Sequence, residues 1–143
     1  MTPSTLLASL RATGLSLRTD GVKILVSPKE NLTPEQTALV APYTSWLDGN
    51  VDMVIGTEKL LVSRRHGYAG TTDAIVIMRD DRYPSIVDFK SSKTALGAEE
   101  WRLQLAAYVI AAEEHLGLVC RRRIIVRLSR TEPDNLYVHE LPL

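Results

Sequence analysis

Cysteine is almost absent from this chain: Cys120 is the only one among 143 residues. A single thiol cannot build a disulfide framework, and it excludes a four-cysteine zinc or iron–sulfur site within one chain. An excess of either charge is missing too. Lysine plus arginine and aspartate plus glutamate number 17 each. No global field therefore draws the molecule to nucleic acid, although a local basic patch is enough for a localised site. The arginines do cluster, at Arg64–Arg65, Arg121–Arg123, Arg127 and Arg130. No apolar run approaches the roughly 20 residues that span a bilayer. The opening stretch MTPSTLLASLRATG lacks the basic region and long apolar segment of a secretory signal, so the expected location is the cytoplasm, with no membrane association. Internal repeats and low-complexity tracts are absent as well.

What is present alternates between helical and extended patterns. Ser4 or Thr5 can cap a short helix over residues 5–13, which Gly14 stops. Two alternating runs then flank Asp20-Gly21, a strong hairpin signal. Thr33-Pro34-Glu35-Gln36 supplies a cap, a proline at the first helical position and a glutamine three residues on. The helix it opens is expected to run to about Leu47, with a disturbance at Pro42. Strands are expected over 53–63, 70–78 and 85–90. A helix over 98–116, apolar nearly all round and so expected to be buried against a sheet, ends at Gly117. Strands over 122–129 and 136–141 close the chain. This order predicts an α/β fold, a sheet flanked by helices.

Charged and polar residues interrupt these apolar elements at a few positions. In SIVDFKSSK (85–93), strand alternation puts Asp88 and Lys90 on one face and Val87 and Phe89 on the other. Glu58 sits mid-strand, and Asp73 follows Gly70 at the start of an apolar strand. Gln104 and Tyr108 stand four apart on the long helix, hence on one face. If the strands are neighbours, Asp73 and Asp88 can converge on a hard divalent cation, and magnesium favours a site of one or two carboxylates with phosphate oxygens. Two acids at one point repel unless a cation binds between them. Lys90 beside that cation could activate an attacking water or stabilise charge developing on phosphate oxygens. Arg64 and Arg65 lead into the turn before Asp73, where they could contact a substrate backbone; Arg123 and Arg127 share a face with Ile125. Arg121–Arg123 read as a solvated strand start, Trp46 and Trp101 as core, and Cys120 as a small buried residue.

Glu58, Gly70-Thr71-Thr72-Asp73, Ile86-Val87-Asp88-Phe89-Lys90-Ser91-Ser92 and Gln104-Leu105-Ala106-Ala107-Tyr108 together resemble the PD-(D/E)XK nucleases. They are nearest to the RecB-like and lambda-exonuclease-like branch, with its pattern of E, GTxD, (I/V)DxK(T/S) and QxxxY. The resemblance covers roughly residues 45–130. It implies a restriction-endonuclease-like core, a mixed central sheet flanked by helices in αβββαβ order. It also implies a magnesium-dependent deoxyribonuclease, with manganese able to substitute, acting in DNA repair, recombination or mobile-element DNA processing, and an exonuclease more than an endonuclease. Asp73, Asp88 and the main-chain carbonyl of Phe89 would hold metal, and Lys90 would be catalytic. Glu58 would hold a second metal or position water. Gln104 and Tyr108 would contact DNA or support the site, and Ser91, Ser92, Arg64 and Arg65 are expected to contact the substrate.

The first forty residues are similar to TubC-type docking domains, whose helix, hairpin and further helix capture a partner's terminal peptide. This divides the chain into a docking-like segment over 1–44 and a nuclease-like domain over 45–143. An exposed hairpin edge could bind a protein partner or a second copy. Two other readings stand beside the exonuclease: a non-catalytic docking or DNA-binding module on the same scaffold, and a dimeric junction resolvase.

Overall fold

The computed structural model describes residues 16–19, 24–27, 34–92, 98–129 and 136–141. The expected helix over 5–13, the cap at Thr33 and the Asp20-Gly21 turn lie outside them. Strands β1 (Ser16–Thr19) and β2 (Ile24–Ser27) pair antiparallel as a two-stranded sheet of their own. Next come helix α1 (Pro34–Asn50), strands β3 (Val51–Ser63), β4 (Tyr68–Met78) and β5 (Pro84–Ser92), and helix α2 (Ala98–Leu116). Strands β6 (Arg122–Ser129) and β7 (Leu136–Leu141) follow. The five later strands form one mixed sheet in the order β3-β4-β5-β6-β7, in which only β5 and β6 run parallel.

Each face of this sheet is covered by one helix, because both faces of its central strands are apolar. Tyr43 and Leu47 of α1 pack with Val76, Val87, Phe89 and Val126 on one side. Leu105, Tyr108, Ala111 and Ala112 of α2 pack with Ile75, Ile86 and Ile125 on the other. Each fully buried isoleucine or valine contributes about 1.5–3 kcal/mol through the apolar area it removes from water. Gly117, at φ 67, ends α2 in the left-handed conformation that glycine adopts without steric cost.

One expectation is corrected. Helix α1 passes through Pro42 and runs on to Asn50, past the expected stop at Leu47. Its end is held from outside, since Arg79 donates its backbone N–H to Asn50 O and its guanidinium to Asp48 O. Tyr43 and Leu47 of this continuous helix are both core residues. Helix α2 packs against the sheet as expected, and leaves Leu103 and Ile110 exposed on its outer face at 65% and 46%. A helix lying on a single sheet buries only one stripe, whatever the composition of its other side. Among the described residues, no helix is long and apolar enough to cross a membrane.

Candidate active site

Strand β5 carries the centre. Its alternation sends Val87 and Phe89 towards α1, where the Phe89 and Tyr43 rings lie 5.2 Å apart, and sends Asp88 and Lys90 towards α2. Asp73, Asp88 and Lys90 are only 5%, 4% and 7% exposed. Ionised groups so far from water must be partnered, and these partner one another. Lys90 Nζ stands 2.6 Å from Asp88 Oδ2 and donates to Gln104 Oε1 at 2.9 Å. Gln104 Nε2 donates in turn to the Tyr108 hydroxyl at 3.1 Å. The Phe89 N–H donates to Asp73 Oδ2 at 2.8 Å, which brings the β4 carboxylate against β5. From the opposite face of the sheet, the Tyr43 hydroxyl donates to the Lys90 carbonyl at 2.7 Å and pins the backbone beneath the lysine.

Burial, and then the neighbouring Asp88 by charge and by hydrogen bonding, hold the Asp73 carboxyl well above its ordinary value of 3.8. The Phe89 N–H and Lys90 pull against this without cancelling it. Folded protein therefore keeps a proton on this carboxyl over a pH range in which unfolded chain has lost it. Where the native state binds more protons, stability falls as pH rises. Without divalent cation, resistance to urea is thus expected to decline as pH climbs from about 4 through the raised value, and Asp73→Asn should flatten that slope. Burial also raises the Tyr108 hydroxyl, with Asp88 adding to the effect, so it stays protonated beside Gln104.

The donor set fits a divalent cation. Lys90 touches Asp88 Oδ2 by charge but without hydrogen-bond alignment, so this buried oxygen keeps an unfilled acceptor position. Two hard oxygen donors that repel one another, one with spare capacity, suit a magnesium-type ion that takes its remaining ligands from water and phosphate. Among the described residues, no group of three or more histidine, cysteine, aspartate or glutamate side chains converges on a metal position. The arrangement is a carboxylate pair with a lysine.

Glu58 stands between the Thr57–Ala74 and Lys59–Thr72 pairs, across from Asp73, with a left-handed φ of 49. This conformation costs a non-glycine residue about 1–3 kcal/mol and concentrates at functional sites. Opposite it, the alternation of β4 slips. Tyr68 and Gly70 meet α2, and so do Asp73 and Ile75, which strict period two would put on the other face. The slip turns Asp73 towards Asp88.

Gly70 provides the seat for Tyr108. A Cβ there would lie 2.8 Å from Tyr108 Cε1, closer than such atoms come. Gly70→Ala is expected to push the ring, its bond to Gln104 and hence Lys90 out of place. A displacement of about 1 Å can cost on the order of 100-fold in rate. Cleavage kinetics with a circular-dichroism check of folding would measure it.

Other expected site residues stand elsewhere. Arg64 and Arg65 are exposed in the β3–β4 turn, where their N–H groups donate to Glu114 Oε1 at 2.8 and 3.0 Å. The turn lies six residues beyond Glu58, roughly 20 Å at about 3.3 Å per residue. The side chains of Ser91 and Ser92 lie outside the described residues. Of Arg121–Arg123, Arg121 is exposed as expected, but Arg123 is 7% exposed and donates to Arg102 O. Cys120 is buried, which pushes its thiol up to about 11. Sequence reasoning missed Tyr43, whose bond to Lys90 has no local signal. It also took Trp101 as core only, whereas Lys90 Nζ stands 5.9 Å from its ring centroid. The spacing of three between Trp101 and Gln104 on one helix face could have found it.

A mixed five-stranded sheet with a helix on each face, and a buried acid pair with lysine on its central strands, is consistent with a restriction-endonuclease-like fold. Residues 29–138 match the family model of the PD-(D/E)XK nuclease superfamily, and the chain belongs to that superfamily. No curated protein matches the chain.

Proposed function

We propose that the chain is a magnesium-dependent deoxyribonuclease, related to the RecB-like and lambda-exonuclease-like branch, that works on DNA ends in repair, recombination or mobile-element processing. One observation carries this reading: Asp73 and Asp88, both buried, share a point with Lys90, and an oxygen of Asp88 has an acceptor position open. Asp73, Asp88 and the Phe89 carbonyl hold the cation, with Glu58 reaching a second ion or the water. When bound, the cation makes water a stronger nucleophile and polarises the scissile phosphate. Lys90 orients that water or balances charge growing on the phosphate oxygens, and Gln104 and Tyr108 hold its amine in place. The apolar clusters on both faces exclude water from the floor of the site, which strengthens each of these interactions.

Cleavage of single- and double-stranded DNA with magnesium or manganese tests the reading. Wild type should cut and Lys90→Ala should not; equal cutting by both would end it. The β1–β2 hairpin serves in this account as a docking edge for a protein partner or a second copy, because its two-stranded sheet leaves backbone groups to pair. An oligomeric state on gel filtration that is the same with and without residues 1–27 would count against pairing with a second copy.

A further inference from the structure

The row of charged groups on β5 does not stop at that strand. The parallel register sets Lys90 beside Arg127 of β6, and the antiparallel register sets Arg127 beside Tyr137 of β7. In the same way Asp88 stands beside Ile125, and Ile125 beside His139. Directly paired residues share a face, so all of these side chains lie on the α2 side. Among the described residues, the helix runs from Arg102 over β6 past Gln104 at Lys90 to Glu114 at Ser63 of β3.

At the β6–β7 corner the Arg127 guanidinium lies over the Tyr137 ring, 4.5 Å from its centroid. Arg127 Nε donates towards His139 Nε2 at a long 3.5 Å. Burial and the arginine charge lower the His139 pKa, so the imidazole stays neutral and able to accept. Arg127 is 8% exposed, but the tyrosine that lies against it is 38% exposed. A cation is thus held behind an aromatic ring that faces out, two strands from Lys90, or about 10 Å at the usual strand spacing of about 4.8 Å.

We propose that Arg127, Tyr137 and His139 form a nucleotide seat beside the cleavage centre, in which an unpaired base stacks on Tyr137 and its phosphate is drawn to Arg127. The inference rests on the nuclease reading and specifies its substrate as a strand unpaired next to the scissile phosphate. A base within a duplex has both faces covered by its neighbours, so only an unpaired one can lie on the ring. Stacking on an aromatic side chain is tolerant of sequence, and a cation behind the ring adds to it. His139 is a positioning residue that fixes the plane of the guanidinium.

The test compares wild type, Tyr137→Ala and Tyr137→Phe. Binding of a labelled oligothymidylate is followed by fluorescence anisotropy in chelator, and cleavage is then measured with manganese. Tyr137→Ala should weaken single-strand binding about tenfold and raise KM more than it lowers kcat. Tyr137→Phe should restore both, and duplex binding should be the same in all three. Arg127→Lys, checked for folding by circular dichroism, should lose affinity while keeping the salt dependence of a single phosphate contact. Wild-type affinity and KM in Tyr137→Ala would overturn the seat and leave the nuclease reading standing. Tyr137-dependent binding without any Lys90-dependent cleavage would support the seat and overturn the nuclease reading.

Discussion

Asp88→Ala and Asp88→Asn are each expected to lower metal-dependent cleavage about a thousandfold. Asp88 meets both of its neighbours: it raises the Asp73 pKa and touches Lys90 Nζ at 2.6 Å. Its loss removes one of two carboxylates that would hold the cation, along with charge stabilisation worth several kcal/mol, and each 1.36 kcal/mol is tenfold in rate. The two variants separate chemistry from folding. Alanine leaves Lys90 as a buried cation with Gln104 as its remaining partner, a costly state that should show as a lower Tm. Asparagine keeps the shape and a polar oxygen, so its Tm should stay nearer wild type while cleavage falls as far. Steady-state cleavage and a thermal melt, run on both variants, check the pair of outcomes.

Lys90→Ala is the second large effect, expected at about 100- to 10,000-fold in kcat, the range that a positioned proton-transfer group supplies. Binding of DNA should change far less, because Lys90 is 7% exposed and faces the acid pair more than the surface. Lys90→Arg should restore little. The ammonium is a compact charge that fits between a carboxylate at 2.6 Å and an amide oxygen at 2.9 Å, whereas the guanidinium is a wide planar fork. Single-turnover cleavage by the three proteins at saturating DNA reads kcat without the binding step. Full activity in Lys90→Arg would point to charge alone as the lysine's contribution.

Periodicity made the centre of the fold readable. Alternation alone puts Asp88 and Lys90 on one face of β5, and a spacing of four puts Gln104 and Tyr108 on one face of α2, where the structure has them. That these two faces meet, with Asp73 between, came from motif order and not from local pattern. What local pattern could not carry depends on pairing across strands. The slip of β4 between Gly70 and Asp73 exists only opposite the left-handed Glu58. The Tyr43 bond to the Lys90 carbonyl joins residues 47 positions apart through the sheet. Helix α1 outlasts its own signals because Arg79, just after β4, caps it. The outward face of α2, with Leu103 and Ile110, was out of reach for a related reason: composition reports how apolar a helix is, but not which of its faces finds a neighbour. The β6–β7 corner had only its arginines in view, since Tyr137 and His139 join them through register alone.

The central claim is that Asp73 and Asp88 form a divalent cation site. Calorimetric titration of the folded protein with manganese, repeated with magnesium, tests it most directly. The account predicts a saturable binding event in wild type that disappears in Asp73→Asn and in Asp88→Asn, with both variants folded by circular dichroism. The same heat of binding in all three proteins, or no binding in wild type, would contradict it.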